Sequence, residues 1–233
     1  MSMFDWFRKK KAPADTRGAL ALKRQIISLA PRKTNLVVLE AGASGGEDTF
    51  EWASLPEIKK VLAFEPEPKS FGVLSKGAQK YGSKIDCIEL GLSRVPGVHE
   101  LFISENENAP ESLAVSSSLL KPKEHLEFHP GIKFNTSTKI TTVNLDEWAE
   151  ANKVSKIDIA WLDMQGAEFD VLDSAPKVLS TIDVLYTEVS LMHMYENTPL
   201  YPEFRKWLES KGFAVHAEYL PWKDMGNVLF VRK

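Results

Sequence analysis

The chain has a single cysteine, Cys87, and no apolar run long enough to cross a bilayer. One thiol excludes an intrachain disulfide and a cysteine-based zinc cluster. Cys87 sits in the apolar stretch 85–90 and reads as a buried core thiol. No apolar segment follows the first basic residues in the manner of a signal peptide, so a soluble cytoplasmic protein is expected. Neither sign of charge dominates, with 29 basic against 32 acidic residues and a net charge of −3. That balance argues against nucleic acid as a partner, because a phosphate backbone selects a basic surface. No internal repeat is present. The one biased segment is the N-terminus, where Met3, Phe4, Trp6 and Phe7 precede Arg8, Lys9, Lys10 and Lys11. Such a pairing fits contact with an anionic membrane through residues 3–11, but a tail packed on its own domain is the favoured reading.

Also missing is the G-x-G-x-x-G fingerprint of a dinucleotide site. What stands in its place is more informative. The apolar run Leu36, Val37, Val38, Leu39 ends in Glu40, followed by the turn Gly42, Ala43, Ser44, Gly45, Gly46 and a helix from about Glu47. A second apolar run, residues 61–64, ends in Glu65 and Pro66. Counted from Gly42, the second and third glycine positions are Ser44 and Glu47. Acids at a helix start repel a pyrophosphate, which disfavours an NAD-dependent oxidoreductase. A phosphate-free cofactor with cationic groups suits the turn better. S-adenosylmethionine fits, with Glu40 at its amino-acid end and Glu65 at the ribose hydroxyls.

Periodicity along the remainder predicts a helix over 19–29, a short helix before Pro56 and a helix through Phe71, Leu74, Ala78 and Tyr81. Strands are expected at Leu36–Ala41, 60–65, 85–90, 157–163, 183–189, 214–219 and 227–232. Residues 98–104 read as a strand of a hairpin after the Pro96-Gly97 turn, residues 138–143 alternate β-branched side chains, and Asn144 or Asp146 caps the next helix. Residues 105–136 lack periodicity and form either a functional lid or a partly disordered segment. Seven core strands interleaved with helices indicate an α/β, doubly wound, mostly parallel sheet with helices on both faces. The 233 residues suffice for one such domain, over 34–233, behind a tail and helix over 1–33.

Taken together, Glu40-Ala-Gly-Ala-Ser-Gly-Gly, Phe64-Glu65-Pro66, Ser116-Ser-Ser-Leu, Thr142-Val-Asn-Leu-Asp146 and Trp161-Leu-Asp-Met-Gln-Gly-Ala-Glu168 resemble the FkbM family of S-adenosylmethionine-dependent methyltransferases over about residues 34–215. The resemblance implies the seven-stranded, Rossmann-like class I methyltransferase fold and methylation of hydroxyl oxygens of sugars, glycolipids or natural products. Gly91 and Leu92, at the end of the third expected strand, complete the expected cofactor residues. Two departures stand out: the family usually has Asp where Glu40 stands, and often Glu where Gln165 stands. The second removes a carboxylate and leaves room for a non-catalytic binding module on the same fold. The chain lacks the Asn/Asp-Pro-Pro-Tyr motif of exocyclic amine methylation, and no Pro precedes Cys87 as in cytosine-C5 enzymes.

Transfer to a hydroxyl requires alignment of the reactants and a base for the proton. Asp163, Glu188 and Glu40 fall at carboxyl ends of expected parallel strands, where ligands bind in open α/β sheets. Asp163 is the first candidate for a carboxylate beside the methyl, and it counts among both the catalytic and the cofactor residues. His193, five residues past Glu188, is an alternative base, and Asp163, Glu188 and His193 form a weak candidate set for a divalent ion. His125, His129 and His216 are further candidates, while His99 belongs to the hairpin. Glu168 reads as a local clamp on the Gly166 turn. Tyr219, Trp222 and the segment 192–195 offer apolar faces to a small-molecule or saccharide acceptor.

Overall fold

The computed structural model describes residues 16–106, 113, 116–124, 129, 131–196 and 198–233. The aromatic and basic tail at residues 3–11 and His125 lie outside them. The elements run α1 (Thr16–Leu29), β1 (Leu36–Ala41), α2 (Glu47–Ser54), β2 (Ile58–Phe64), α3 (Pro68–Ala78), a 3₁₀ turn (Gln79–Lys84), β3 (Ile85–Ile88), β4 (Gly91–Leu92), β5 (Gly97–Asn106), β6 (Ile132–Val143), α4 (Leu145–Ala151), β7 (Ile159–Leu162), α5 (Glu168–Asp173), α6 (Pro176–Thr181), β8 (Val184–Ser190), α7 (Tyr201–Ser210), β9 (Phe213–Tyr219) and β10 (Met225–Arg232).

Seven strands form one sheet in the order β3-β2-β1-β7-β8-β10-β9, parallel except for β10, which is antiparallel to both neighbours. The order reverses direction at β1/β7, the switch point at which open α/β sheets hold ligands. Apolar runs such as Val184–Ser190 are buried on both faces because helices cover both. Successive side chains alternate between two cores. Leu39, Ala41, Leu62, Phe64 and Leu162 pack under α4, α5, α6 and α7. Leu36, Val38, Val61, Ala63 and Tyr186 pack under α1, α2 and α3. This is the Rossmann-like class I arrangement.

Helix ends follow local chemistry. Asn144 accepts the Asp146 and Glu147 amides at 2.9 and 3.3 Å and is the cap of α4. The alternative candidate, Asp146, instead accepts the Lys177 and Val178 amides at 2.9 and 2.7 Å at the start of α6.

Three expectations are corrected. The third strand ends at Ile88 rather than residue 90, and Gly91–Leu92 pairs with β6 in a separate three-stranded sheet, β4-β6-β5. A Cβ on Gly91 would stand 2.9 Å from Ile140 Cδ1 and 3.0 Å from Thr142 Cγ2, so a larger residue would push these side chains aside. The irregular segment is shorter than 105–136, because β5 runs to Asn106 and β6 starts at Ile132. Cys87 is half-buried rather than sealed in the core, at the sheet edge formed by β3.

Candidate active site

Parallel register sets three residues side by side. Ala41 is level with Phe64 on β2 and Leu162 on β7, so Gly42, Glu65 and Asp163 emerge together from the sheet edge. Gly42 takes φ +85°, and its amide and that of Ala43 donate to the Phe64 carbonyl at 3.1 and 3.0 Å. A Cβ on Gly42 would stand 1.9 Å from the Asp163 carbonyl oxygen. Only glycine permits this approach. Ser44, at φ +49°, turns its amide onto Glu65 Oε2 at 2.6 Å, and the Glu67 amide donates to Oε1 at 2.8 Å. Burial pushes the Glu65 carboxyl up to about 7; these two amides oppose the shift, and the Glu67 and Asp163 charges add to it.

A second cluster forms where β7 and β8 end. Leu162 is level with Thr187, which brings Asp163 beside Glu188. The Gln165 amide bridges them: Nε2 donates to Asp163 Oδ1 at 2.5 Å and to Glu188 Oε2 at 3.0 Å. Tyr195 Oη donates to Gln165 Oε1 at 3.0 Å, and Ser118 Oγ donates to the Gln165 carbonyl at 2.8 Å. Gln165 is buried, with φ +53°. Glu168 accepts the Met164 amide at 2.6 Å and the Gly166 amide at 3.0 Å, the local clamp expected from the sequence. Burial pushes its carboxyl up to about 7, against those amides and with the Asp163 charge.

Over this edge opens a cavity, open to solvent at its mouth. Gly42, Ala43, Ser44, Glu65, Pro66, Gly91, Leu92 and Asp163 all line it. Leu101, Ser117 and Leu119 close one side, the last two coming from the irregular segment. The described part of that segment is tied down: Ser118 bridges Phe102, and Pro122 bridges Tyr195.

Four expected residues are placed differently. Glu40 does not line the cavity; strand alternation turns it, with Leu36 and Val38, toward the face under α1 and α2. Glu47 is exposed, and the acid of the same helical turn that reaches the cavity is Asp48. Behind Asp48, the fully buried Lys23 ammonium donates to Asp48 Oδ1 at 2.8 Å and Glu51 Oε2 at 2.6 Å, and lies 4.8 Å from the centre of the Trp161 ring. Glu188 is buried behind Asp163 rather than open to the cavity. His193 is exposed on the loop after β8, away from the lining, so the sequence separation of five residues did not bring it to the site. Among the described residues no three His, Cys, Asp or Glu side chains come together as ligands, so Asp163, Glu188 and His193 do not make an ion site.

The remaining candidates have structural partners. His129 Nε2 lies 2.8 Å from Asp224 Oδ2 in a buried pair, His216 is exposed on β9, and His99 Nε2 lies 2.8 Å from the Val95 carbonyl. Met194 and Tyr195 pack with Met225 in a small separate core, and Trp222 is half-buried outside the lining. The residues that pattern reading missed are Asp48, Lys23 and the bridging role of Gln165.

The donor set fits S-adenosylmethionine. Glu65 suits a ribose diol, Asp48 and Asp163 suit cationic groups, and Phe64, Leu90, Leu92 and Leu101 supply an apolar wall. Over 180 residues the chain is 28% identical to the 2-O-methyltransferase NoeI of Sinorhizobium fredii, covering 76% of this chain and 72% of that protein. It is 24% identical over 200 residues to Methyltransferase 1 of Beauveria bassiana, covering 83% and 78%. Among solved structures it is similar to M. capricolum TrmK in complex with S-adenosylhomocysteine, with 13% identity, a TM-score of 0.47, and coverage of 90% of this chain and 67% of that one. The methyltransferase FkbM domain model matches residues 40–215, three-quarters of the chain, and the protein belongs to this family of S-adenosylmethionine-dependent methyltransferases.

Proposed function

We propose that the enzyme is an O-methyltransferase acting on a hydroxyl of a sugar or similarly hydroxylated small molecule, with Asp163 as the proton acceptor. The observation that carries the reading is the Asp163 carboxylate. It is exposed to the cavity and held on one oxygen by Gln165, while the neighbouring acid, Glu188, is buried. The printed name of the Sinorhizobium relative, a 2-O-methyltransferase, supports an oxygen acceptor.

When bound, S-adenosylmethionine supplies a methyl carbon activated by its sulfonium. Gly42, Ala43 and Ser44 would shape the floor beneath the cofactor, and Glu65 would accept hydrogen bonds from the ribose hydroxyls. Pro66, Gly91 and Leu92 would wall the base, and Asp48 would face the ammonium end. Asp163 would hold the acceptor hydroxyl and take its proton as the methyl carbon exchanges its bond to the sulfonium sulfur for one to that oxygen, S-adenosylhomocysteine being the leaving group, so no free alkoxide need form. Ser117 and Leu119 would confine the acceptor. The test is incubation with methyl-labelled S-adenosylmethionine and a panel of neutral oligosaccharides and glycosides, with products identified by mass and NMR. Label on a ring hydroxyl supports the reading; label only on nitrogen or carbon acceptors overturns it.

Glu65 makes a separate expectation. Replacement by Ala is expected to weaken S-adenosylhomocysteine binding by about 1–3 kcal/mol, the value of lost charge-assisted hydrogen bonds. Affinity should also depend on pH. In the unliganded protein burial raises the Glu65 carboxyl from 4.5 to about 7. Hydroxyl donors favour its ionised form, so binding lowers that value, and affinity rises as pH increases through about 7 and levels off above it. Calorimetric titration from pH 5.5 to 8.5 checks this: Glu65→Gln should flatten the rise. An equal rise in the variant would place the titrating group elsewhere.

A further inference from the structure

We propose that Gln165 is a positioning residue: it aims the Asp163 carboxylate at the reacting methyl and couples that aim to the strand segment that closes the cavity. The inference rests on the reading of Asp163 as the carboxylate at the methyl end of the site.

The orientation of the Gln165 amide follows from its partners. Two carboxylates, Asp163 and Glu188, approach one end at 2.5 and 3.0 Å, and a phenol approaches the other at 3.0 Å. An ionised carboxylate only accepts, so the two N–H groups must face the acids and the carbonyl must face Tyr195 Oη. One amide proton goes to each acid. A glutamate at this position would place three acids together and offer no donor to either neighbour. The glutamine therefore offers one donor to each of Asp163 and Glu188 where they stand side by side.

The same residue is anchored from above. Ser118 Oγ donates to its carbonyl at 2.8 Å and accepts the Leu120 amide at 3.0 Å. Tyr195 pairs with Pro122 across a β-bridge, and the Lys123 amide donates to the Met194 carbonyl at 2.9 Å. Ser117 and Leu119, either side of Ser118, line the cavity. The wall that meets the acceptor and the carboxylate that meets its proton thus share one residue, buried and at φ +53°.

The test needs no acceptor. Sinefungin carries an amine where S-adenosylmethionine carries its methyl, so its affinity relative to S-adenosylhomocysteine reports a carboxylate at that point. Both ligands are titrated calorimetrically into the wild type, Asp163→Asn and Gln165→Ala between pH 5.5 and 8.5. The ionisable groups facing Asp163 are Glu65, Glu168, Glu188, Tyr186 and Tyr195, so the ratio of the two ligands at each pH is the readout rather than either affinity alone. Gln165→Ala is expected to cut the sinefungin preference about tenfold, with S-adenosylhomocysteine affinity within about twofold. A merely structural role would lower the melting temperature and weaken both ligands equally, and that result overturns the proposal. Should Gln165→Ala not fold, Tyr195→Phe removes the hydroxyl that fixes the amide, together with its longer bond to the Ser116 carbonyl; a drop in preference of about threefold supports the proposal and an unchanged ratio overturns it. Retention of the preference by Asp163→Asn would instead sink the methyl-end reading of Asp163. Loss in Asp163→Asn with retention in Gln165→Ala would sink the role of Gln165 alone.

Discussion

Replacing Asp163 with Asn is expected to lower the rate constant for methyl transfer by about 10²–10⁴-fold, the usual worth of a positioned base, with S-adenosylhomocysteine affinity changed only a few-fold. The substitution is nearly isosteric. Gln165 Nε2, which donates to Asp163 Oδ1 at 2.5 Å, finds an amide oxygen in the same place, so the turn keeps its geometry. What disappears is the capacity to take a proton. The carboxylate opens into the cavity, whereas Glu188 is buried behind it and His193 points to solvent on another loop. No other described member of the expected catalytic set stands ready to replace it. Single-turnover measurement with a verified acceptor separates the chemical step from product release. A rate within about threefold of wild type would move the base to another residue.

The position of this carboxylate was legible in the sequence, because an apolar run of a parallel strand ending in acid places that acid on the ligand-binding edge. The same logic misplaced Glu40. An acid one residue earlier along its strand has the opposite parity, and Glu40 shares a face with Val38 rather than with Ala41. Run ends fix a residue's height along the sheet to within a position or so, and that uncertainty decides the face. Helix phase had a similar effect at Glu47 and Asp48, adjacent in sequence but with only the second reaching the cavity.

The first half of β6 was hidden for a different reason. Residues 133–139 of β6 are polar or partly exposed on both faces, so no apolar period of two marks them as a strand. Their pairing comes from the ladder with β5 instead. Gln165 gave a composition signal, an amide where an acid was expected, but its four partners lie at positions 118, 163, 188 and 195. Only two of those, on strand ends, were foreseeable as neighbours. Ser118 and Tyr195 reach it through loops whose course no periodicity records.

The turn at Gly42 carries the largest expected effect on stability. Gly42→Ala is expected to cost about 3 kcal/mol or more, a fall in melting temperature of roughly 6–12 °C for a chain of this size. Two penalties combine. A side chain at φ +85° pays the left-handed strain that glycine escapes. The new Cβ would also lie 1.9 Å from the Asp163 carbonyl oxygen and 2.9 Å from its carbonyl carbon. Those atoms belong to backbone, so no rotamer change relieves the overlap. Moving the β7 end away breaks the bond from the Asp163 amide to the Ala41 carbonyl, 2.9 Å, and moving the turn breaks that from the Gly42 amide to Phe64, 3.1 Å. Either shift also drags Ser44 from Glu65, so S-adenosylhomocysteine binding should fall with stability. Gly72→Ala is the internal control. That glycine lies within α3, has no positive φ, and a Cβ there meets nothing within 4 Å; alanine should stabilise the helix by roughly 0.5–1 kcal/mol. Thermal denaturation of the two variants should therefore move in opposite directions. A Gly42→Ala protein melting within about 2 °C of wild type would mean that β1 and β7 do not approach this closely, and the cofactor floor would need to be redrawn.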